Sequence, residues 1–192
     1  IEDTSQVVRD IMTGAGAMEA MTYVHSSEED LTDKMDYERD RYVKVDNPMS
    51  EEYSAVRDLM LPSLLDVLEN NKHRAYPQKF FETGNVVMLN DSGSGASNRK
   101  KAVFVQIGGD SDFNDARKML QVLERDLGTD LKVSEEDIPY FHEDRSAVLE
   151  LNGQRAGTVG EFSTEVLSKW SLEKPVAGFE VDLELIQEDL KK

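Results

Sequence analysis

An α+β fold built on a mainly antiparallel sheet is what this sequence predicts, and three stretches carry the prediction. Asn152-Gly153 stands between two apolar, strand-like runs at residues 147–151 and 156–162, the strongest short-range signal for a two-residue β-hairpin. Strand signals at residues 79–89 and 102–107 flank a single polar loop and read as a second hairpin. Phe113, Ala116, Met119, Leu120, Leu123 and Leu127 recur at helical spacing between the cap candidates Ser111 or Asp112 and the terminator Gly128. Hairpins mixed with packed helices argue against a doubly wound parallel sheet.

From the N terminus, Val7, Val8, Ile11 and Met12 make an apolar stripe on a helix at residues 4–12, which Gly14 and Gly16 end. A strand follows at residues 19–24. Ser26 with Glu29 three positions on is a capping-box signature for a short helix to about Met35. Residues 41–45 alternate as a strand that ends at Asn47-Pro48, because proline cannot donate into a ladder. Pro62 suits the first turn of a helix whose apolar positions are Leu64, Leu65, Val67 and Leu68, closed by Asn70-Asn71 and Pro77. Beyond the strand at 79–89, the stretch NDSGSGASN is polar and Gly/Ser-rich, which predicts a mobile hairpin loop over residues 90–100 inside a single domain of residues 1–192. Residues 102–107 are apolar on both faces, as in a central strand. Ser163 caps a short helix, residues 176–181 form the last strand, and a C-terminal helix starts near Leu183.

Of the 192 residues, 39 are acidic and 22 basic, a formal charge of −17, and the 39% hydrophobic content suffices for a core. The longest apolar runs, about five residues, fall far short of the roughly 20 that a membrane span needs, so no membrane partner is expected. Cysteine is absent, which removes disulfide scaffolds, thiolate zinc sites and thiol catalysis and fits a cytoplasmic protein. The chain opens at Ile1 without Met, which predicts a piece of something longer. The charge opposes tracking of a phosphate backbone, since the one basic run is Arg99-Lys100-Lys101. Three readings of the acidity stand open: an ordinary acidic surface, a surface adapted to high salt, and a mimic of nucleic acid.

Generic chemical motifs are lacking. His25, His73 and His142 show no HxxxH or HExxH spacing, so no metal site is expected. Gly93-Ser94-Gly95 and Gly108-Gly109 fit neither a dinucleotide fingerprint nor a P-loop. Neighbouring carboxylates such as Glu51-Glu52 point in different directions and make poor acid/base dyads. No catalytic residue is assigned.

An ordered set of segments nevertheless runs through nearly the whole chain. It comprises Asn47-Pro48-Met49-Ser50-Glu51-Glu52-Tyr53-Ser54-Ala55-Val56-Arg57, Leu61-Pro62-Ser63-Leu64-Leu65 and Pro77-Gln78-Lys79-Phe80-Phe81-Glu82-Thr83-Gly84. Later come Phe141-His142, Arg145-Ser146-Ala147, Gly157-Thr158-Val159-Gly160-Glu161 and Pro175-Val176-Ala177-Gly178-Phe179-Glu180-Val181-Asp182-Leu183. This set resembles the C-terminal catalytic-like module of the phenylalanyl-tRNA synthetase β subunit, archaeal or eukaryotic type. The resemblance implies a class II synthetase-like sheet flanked by helices, with motif 1 in residues 4–24, the motif 2 strands at 81–91 and 102–109, and motif 3 from residue 176 onward.

Activating an amino acid with ATP requires arginines that neutralise phosphate charge. Laid on the family's motifs, Met88 falls where the motif 2 arginine belongs and Gly108 replaces the glutamate of the returning strand. Glu180 and Asp182 stand on glycine positions, and Leu185 stands on the ATP-binding arginine. The resemblance thus implies a degenerate, non-catalytic module that packs against the catalytic α subunit of the ligase charging tRNA(Phe) with phenylalanine. ATP and magnesium are then expected in the whole complex and no cofactor in this domain. Motif 1 further implies a subunit interface including Val7, Val8, Ile11, Met12, Leu64 and Leu68, with self-association of the isolated chain as a corollary, although the stripe of Val7, Val8, Ile11 and Met12 reads equally as packed into this domain's own core. The other readings are a stand-alone synthetase paralogue holding a small amino-acid-like ligand and the acidic nucleic-acid mimic.

Overall fold

Helix α1 (Glu2–Gly14) carries Glu2 and Asp3 in its first turn, where carboxylates suit the helix dipole, and turns Val8 and Met12 inward. This is a computed structural model that describes residues 1–38, 42–89 and 95–191. The short strand β1 (Met18–Glu19) pairs in parallel with β5 (Gln78–Leu89). β5 and β6 (Ala96–Ile107) form one long antiparallel hairpin, in register from Gln78↔Ile107 to Leu89↔Ala96. Residues 96–100, expected in the mobile loop, are therefore strand. Their polar composition hid this, because a partner strand satisfies the backbone groups of polar residues as well as those of apolar ones. Residues 90–94 of that loop lie outside the described residues.

β6 pairs antiparallel with β10 (Val176–Asp182), β10 with β9 (Gln154–Phe162), β9 with β8 (Phe141–Leu151), and β8 with β7 (Lys132–Glu135). The product is a seven-stranded sheet of order β1-β5-β6-β10-β9-β8-β7, antiparallel everywhere but at β1. The α+β class read from the sequence is the one observed. Asn152 and Gly153 turn β8 into β9 with φ of 52° and 78°, the left-handed pair that a two-residue hairpin demands.

Alternation along the strands assigns their faces. On β6, Ala102 and Phe104 enter one core while Val103, Val105 and Ile107 enter the other, so this strand is buried on both sides. The first side is covered by α1, by α4 (Phe113–Leu127) and by α6 (Leu183–Leu190). Asp112 caps α4 by accepting from the Asp115 N–H at 3.1 Å, and Phe104 stacks on Phe179 with ring centroids 5.5 Å apart. The opposite side is covered by Leu61, Leu64, Leu65 and Leu68 of α3 (Leu61–Asn71) and by α5 (Thr164–Lys169) with Trp170 behind it.

The N-terminal third departs from expectation. In place of one strand at 19–24, the chain leaves β1 at the edge of the large sheet and crosses to β2 (His25–Ser26). β2 belongs to a separate three-stranded sheet, order β2-β4-β3, with β3 (Val43–Lys44) and β4 (Ala55–Val56). Because Ser26 is held in that ladder opposite Ala55, the helix cap moves to Ser27, which accepts from the Asp30 N–H at 2.9 Å and opens α2 (Glu28–Leu31). Of the strand expected at 41–45, Arg41 lies outside the described residues. A 3₁₀ turn, Glu51–Tyr53, precedes β4.

Burial also corrects the expected interface. Val8, Met12, Leu64 and Leu68 are each 0% exposed, packed in this chain's own cores, so a partner cannot touch them. A helix lying on a sheet buries its apolar stripe there, which leaves only the flanks outward. Val7, at 44% exposed, and the half-buried Ile11 are the members of the set that reach the surface.

Candidate functional site

Beyond the leucines of α3, the same face of the sheet opens into a cleft of about 650 Å³. The period of two along each strand decides which side chains reach it: Met88 from β5, Arg99 and Lys101 from β6, Thr158 from β9, and Glu180 and Asp182 from β10.

Glu180 is the most deeply placed of these, 3% exposed. Its Oε1 accepts from Lys101 Nζ at 2.6 Å, and its Oε2 accepts from the backbone N–H groups of Met60 at 2.6 Å and Leu61 at 3.2 Å. Those N–H groups open α3 and have no partner within the helix, so a carboxylate there satisfies them and meets the positive end of the helix dipole. Lys101 Nζ also donates to the Asp58 carbonyl at 3.1 Å. A second buried pair adjoins this one. Arg57, 2% exposed, donates from Nη2 to Glu82 Oε1 at 2.8 Å, from Nη1 to Thr22 Oγ1 at 2.6 Å and from Nε to the Asn85 carbonyl at 3.0 Å. Thr22 Oγ1 in turn donates to Glu82 Oε2 at 2.6 Å. Gly84 provides the room, since a Cβ there would stand 2.4 Å from Arg57 Nη2 and 2.6 Å from Met60 Cε. Buried charges persist only when paired and hydrogen-bonded, and both pairs meet that condition.

Of the five positions singled out by motif, the structure brings three together. Met88 stands at the rim, 37% exposed, Glu180 at the base, and Asp182 beside it as the cap of α6, accepting from the Glu184 N–H at 2.8 Å and the Leu185 N–H at 3.1 Å. Gly108 and Leu185 do not join them. Gly108 follows the far end of β6, packed against Pro77 and Ser111, because the antiparallel register sets Ile107 opposite Val176 while Lys101 faces Asp182. Leu185 packs on the opposite face of the sheet, since α6 turns away from the cleft after its cap.

Arg57, Glu82 and Lys101 escaped the sequence reading. Their partners lie 25 and 79 positions away along the chain, so no local spacing marks them.

Charge in the cleft opposes a polyphosphate. Each cation among its described lining residues is held within the chain: Lys101 by Glu180, Arg99 by Glu184 at 3.0 Å, and Arg155 by Glu136 at 2.7 Å. Against these three stand five lining carboxylates, Asp58, Glu136, Asp137, Glu180 and Asp182. Among the described residues a triphosphate would meet repulsion and no unpaired arginine, so these residues do not fit ATP. Burial drives the Tyr140 phenol well above the usual tyrosine range; the hydrogen bond between its hydroxyl and Thr158 Oγ1, 3.3 Å long, offsets this in part, and the charge of Glu180 raises it further. Among the described residues, no group of three or more His, Asp or Glu is placed to hold a metal ion, and no helix is long and apolar enough to cross a membrane.

The fold is that of a class II aminoacyl-tRNA synthetase core. Pyrrolysyl-tRNA synthetase from Desulfitobacterium hafniense superposes with a TM-score of 0.81 over 98% of this chain and 68% of that one, at 12% identity, and a second structure of it, PylSc, gives 0.80. The chain belongs to the phenylalanyl tRNA synthetase beta chain CLM domain family, whose model matches residues 1–183. It is 33% identical over 183 residues, 95% of its length, to the phenylalanine-tRNA ligase beta subunit of Pyrococcus abyssi, and 35% identical over 187 residues, 93% of its length, to that of Natronomonas pharaonis. Each match takes in 33% of the relative, so the chain spans about a third of the length of the curated relatives it matches.

Proposed function

We propose that this chain is a non-catalytic, synthetase-like module of a phenylalanine-tRNA ligase β subunit, which packs against the catalytic α subunit and supports charging of tRNA(Phe). The observation that carries this reading is the Glu180–Lys101 pair at the base of the cleft. An adenylate-forming site presents free cations to the phosphates in the transition state. Here the half-buried lysine is already neutralised by a buried carboxylate that also caps α3. Phenylalanine, ATP and magnesium accordingly belong to α, and the module works with it in the cytoplasm.

The α-facing surface is better supported by the segment after α1 than by the buried stripe. Met18, Met21 and Tyr23 are 54%, 92% and 76% exposed where the chain passes from the large sheet to the small one, and Val7 lies on the helix leading into it. Exposed methionine and aromatic side chains are typical of protein interfaces.

Phenylalanine-dependent pyrophosphate exchange tests the reading. The isolated chain should give no exchange above a buffer blank, and the α and β subunits combined should give it. Exchange by this chain in material free of α would overturn the assignment.

A further inference from the structure

We propose that the groove between β2, α2, the 3₁₀ turn and α3 is a docking site for a Lys- or Arg-bearing segment of the α subunit. The proposal rests on the reading of the chain as a module that packs against α.

The groove encloses about 820 Å³. Its walls are acidic: Glu28, Glu29 and Asp30 come from α2, Glu51 and Glu52 from the 3₁₀ turn, and Asp66 from α3. Lys34 is the one Lys or Arg among its described lining residues, and it is already engaged, 2.9 Å from Asp30 and 4.3 Å above the Trp170 ring. Glu28 is paired with Lys44 at 3.3 Å. Among the described residues, Glu29, Glu51 and Glu52 form no ion pair, so the groove holds negative charge that the described chain leaves unbalanced. Burial, together with the nearby carboxylates Asp30 and Glu69, holds the Asp66 carboxyl above the usual range, as an excess of like charge would.

The same groove offers aromatic and apolar surface. Tyr53 meets Tyr23 edge to face at 6.3 Å and His25 at 6.5 Å, and Tyr23 and Met21 stand largely in solvent. Carboxylates beside exposed aromatic rings suit a lysine or arginine whose stem lies on the rings while its head meets the acids. A free ion would leave Met21, Tyr23 and Tyr53 uncovered, whereas a polypeptide segment covers both features. The groove continues directly from the exposed Met18–Tyr23 run assigned above to α, and at a close contact a chain of formal charge −17 is best complemented by a partner that brings cations.

The test uses full-length α and β, with affinity measured from about 0.1 to 0.5 M KCl, a range over which exposed charges become screened. Glu51→Gln with Glu52→Gln should weaken the complex about tenfold and flatten its dependence on salt, and Glu51→Lys with Glu52→Lys should weaken it about a hundredfold at low salt. Tyr53→Ala should weaken it with the salt slope unchanged. Thermal melting of each variant β keeps misfolding separate from lost docking. Unaltered affinity and slope in a complex that forms normally would overturn the groove and leave the subunit reading intact. No complex with wild-type β would overturn both. Variants that bind α normally while exposing full-length β to proteolysis would give the groove to the rest of the β chain, and the proposal would fall.

Discussion

Lys101 and Glu180 show how one residue pair fills the base of a cleft. Separated by 79 positions, they meet at 2.6 Å across neighbouring strands, and the carboxylate spends its other oxygen on the first N–H groups of α3. Lys101→Met should cost about 3 kcal/mol in chemical denaturation, because it strands a buried carboxylate. Adding Glu180→Gln to that variant should recover about 1 kcal/mol or more, since an amide oxygen still accepts from Met60 and Leu61 without needing a counter-charge. Asp66 makes a pH-dependent counterpart. Its folded pKa is raised, so the native state holds the proton more tightly than the unfolded chain, and the stability this contributes at low pH is lost as pH climbs through the ordinary carboxylate range to the raised value. Asp66→Asn should therefore stabilise the protein at pH 7 by about 0.3 kcal/mol, with the gain vanishing once pH falls below the ordinary carboxylate range. Melting curves at both pH values check this. Neither effect is legible in the sequence, since Lys101 reads there as part of a basic run and no local spacing marks Asp66.

At the scale of elements, period and punctuation were legible and direction was not. Asn152-Gly153, the cap at Asp112 and Pro62 in the first turn of α3 all act within a few residues, and each does in the structure what its local chemistry requires. The stripe on α1 was equally visible, yet its periodicity is the same whether the helix faces a core or a partner. Burial decides the matter: Val8→Glu or Met12→Glu should cost about 3 kcal/mol or more by placing an unpaired charge in the core, whereas Val7→Glu should stay within about 0.5 kcal/mol. Denaturation of the three variants distinguishes them, and comparable losses at Val7 and Val8 would show that the helix is not seated this way. The strand at 96–100 was missed for the opposite reason. Its residues carry weak strand preference, and only the twelve-residue partner β5 keeps them in a ladder.

For the molecule as a whole, the excess of 39 acidic over 22 basic residues is the dominant long-range feature. Many of the ion pairs, such as Lys44–Glu28, Lys132–Glu150 and Arg155–Glu136, involve well-exposed side chains and add little stability individually. Self-repulsion among the remaining carboxylates then opposes the compact state, and salt relieves it. We propose that the surface is adapted to high salt, so the melting temperature should rise by about 3 °C or more from 0.1 to 2 M KCl, with NaCl giving the same trend. A flat or falling curve would mark an ordinary acidic surface instead.

By itself the sequence determined the α+β class, most of the helices and hairpins, and, through the ordered motifs, membership of the phenylalanyl tRNA synthetase beta chain family. Those rest on interactions between near neighbours, or on segments whose order survives in one dimension. Tertiary structure alone decided that Val8, Met12, Leu64 and Leu68 serve the core, that Gly108 and Leu185 stand away from the cleft, and that Lys101 and Glu180 lock its base with the Arg57–Glu82 pair buried beside them. The reason is physical: burial and charge pairing depend on distance in space, and antiparallel register brings together residues whose separation along the chain carries no trace of their contact.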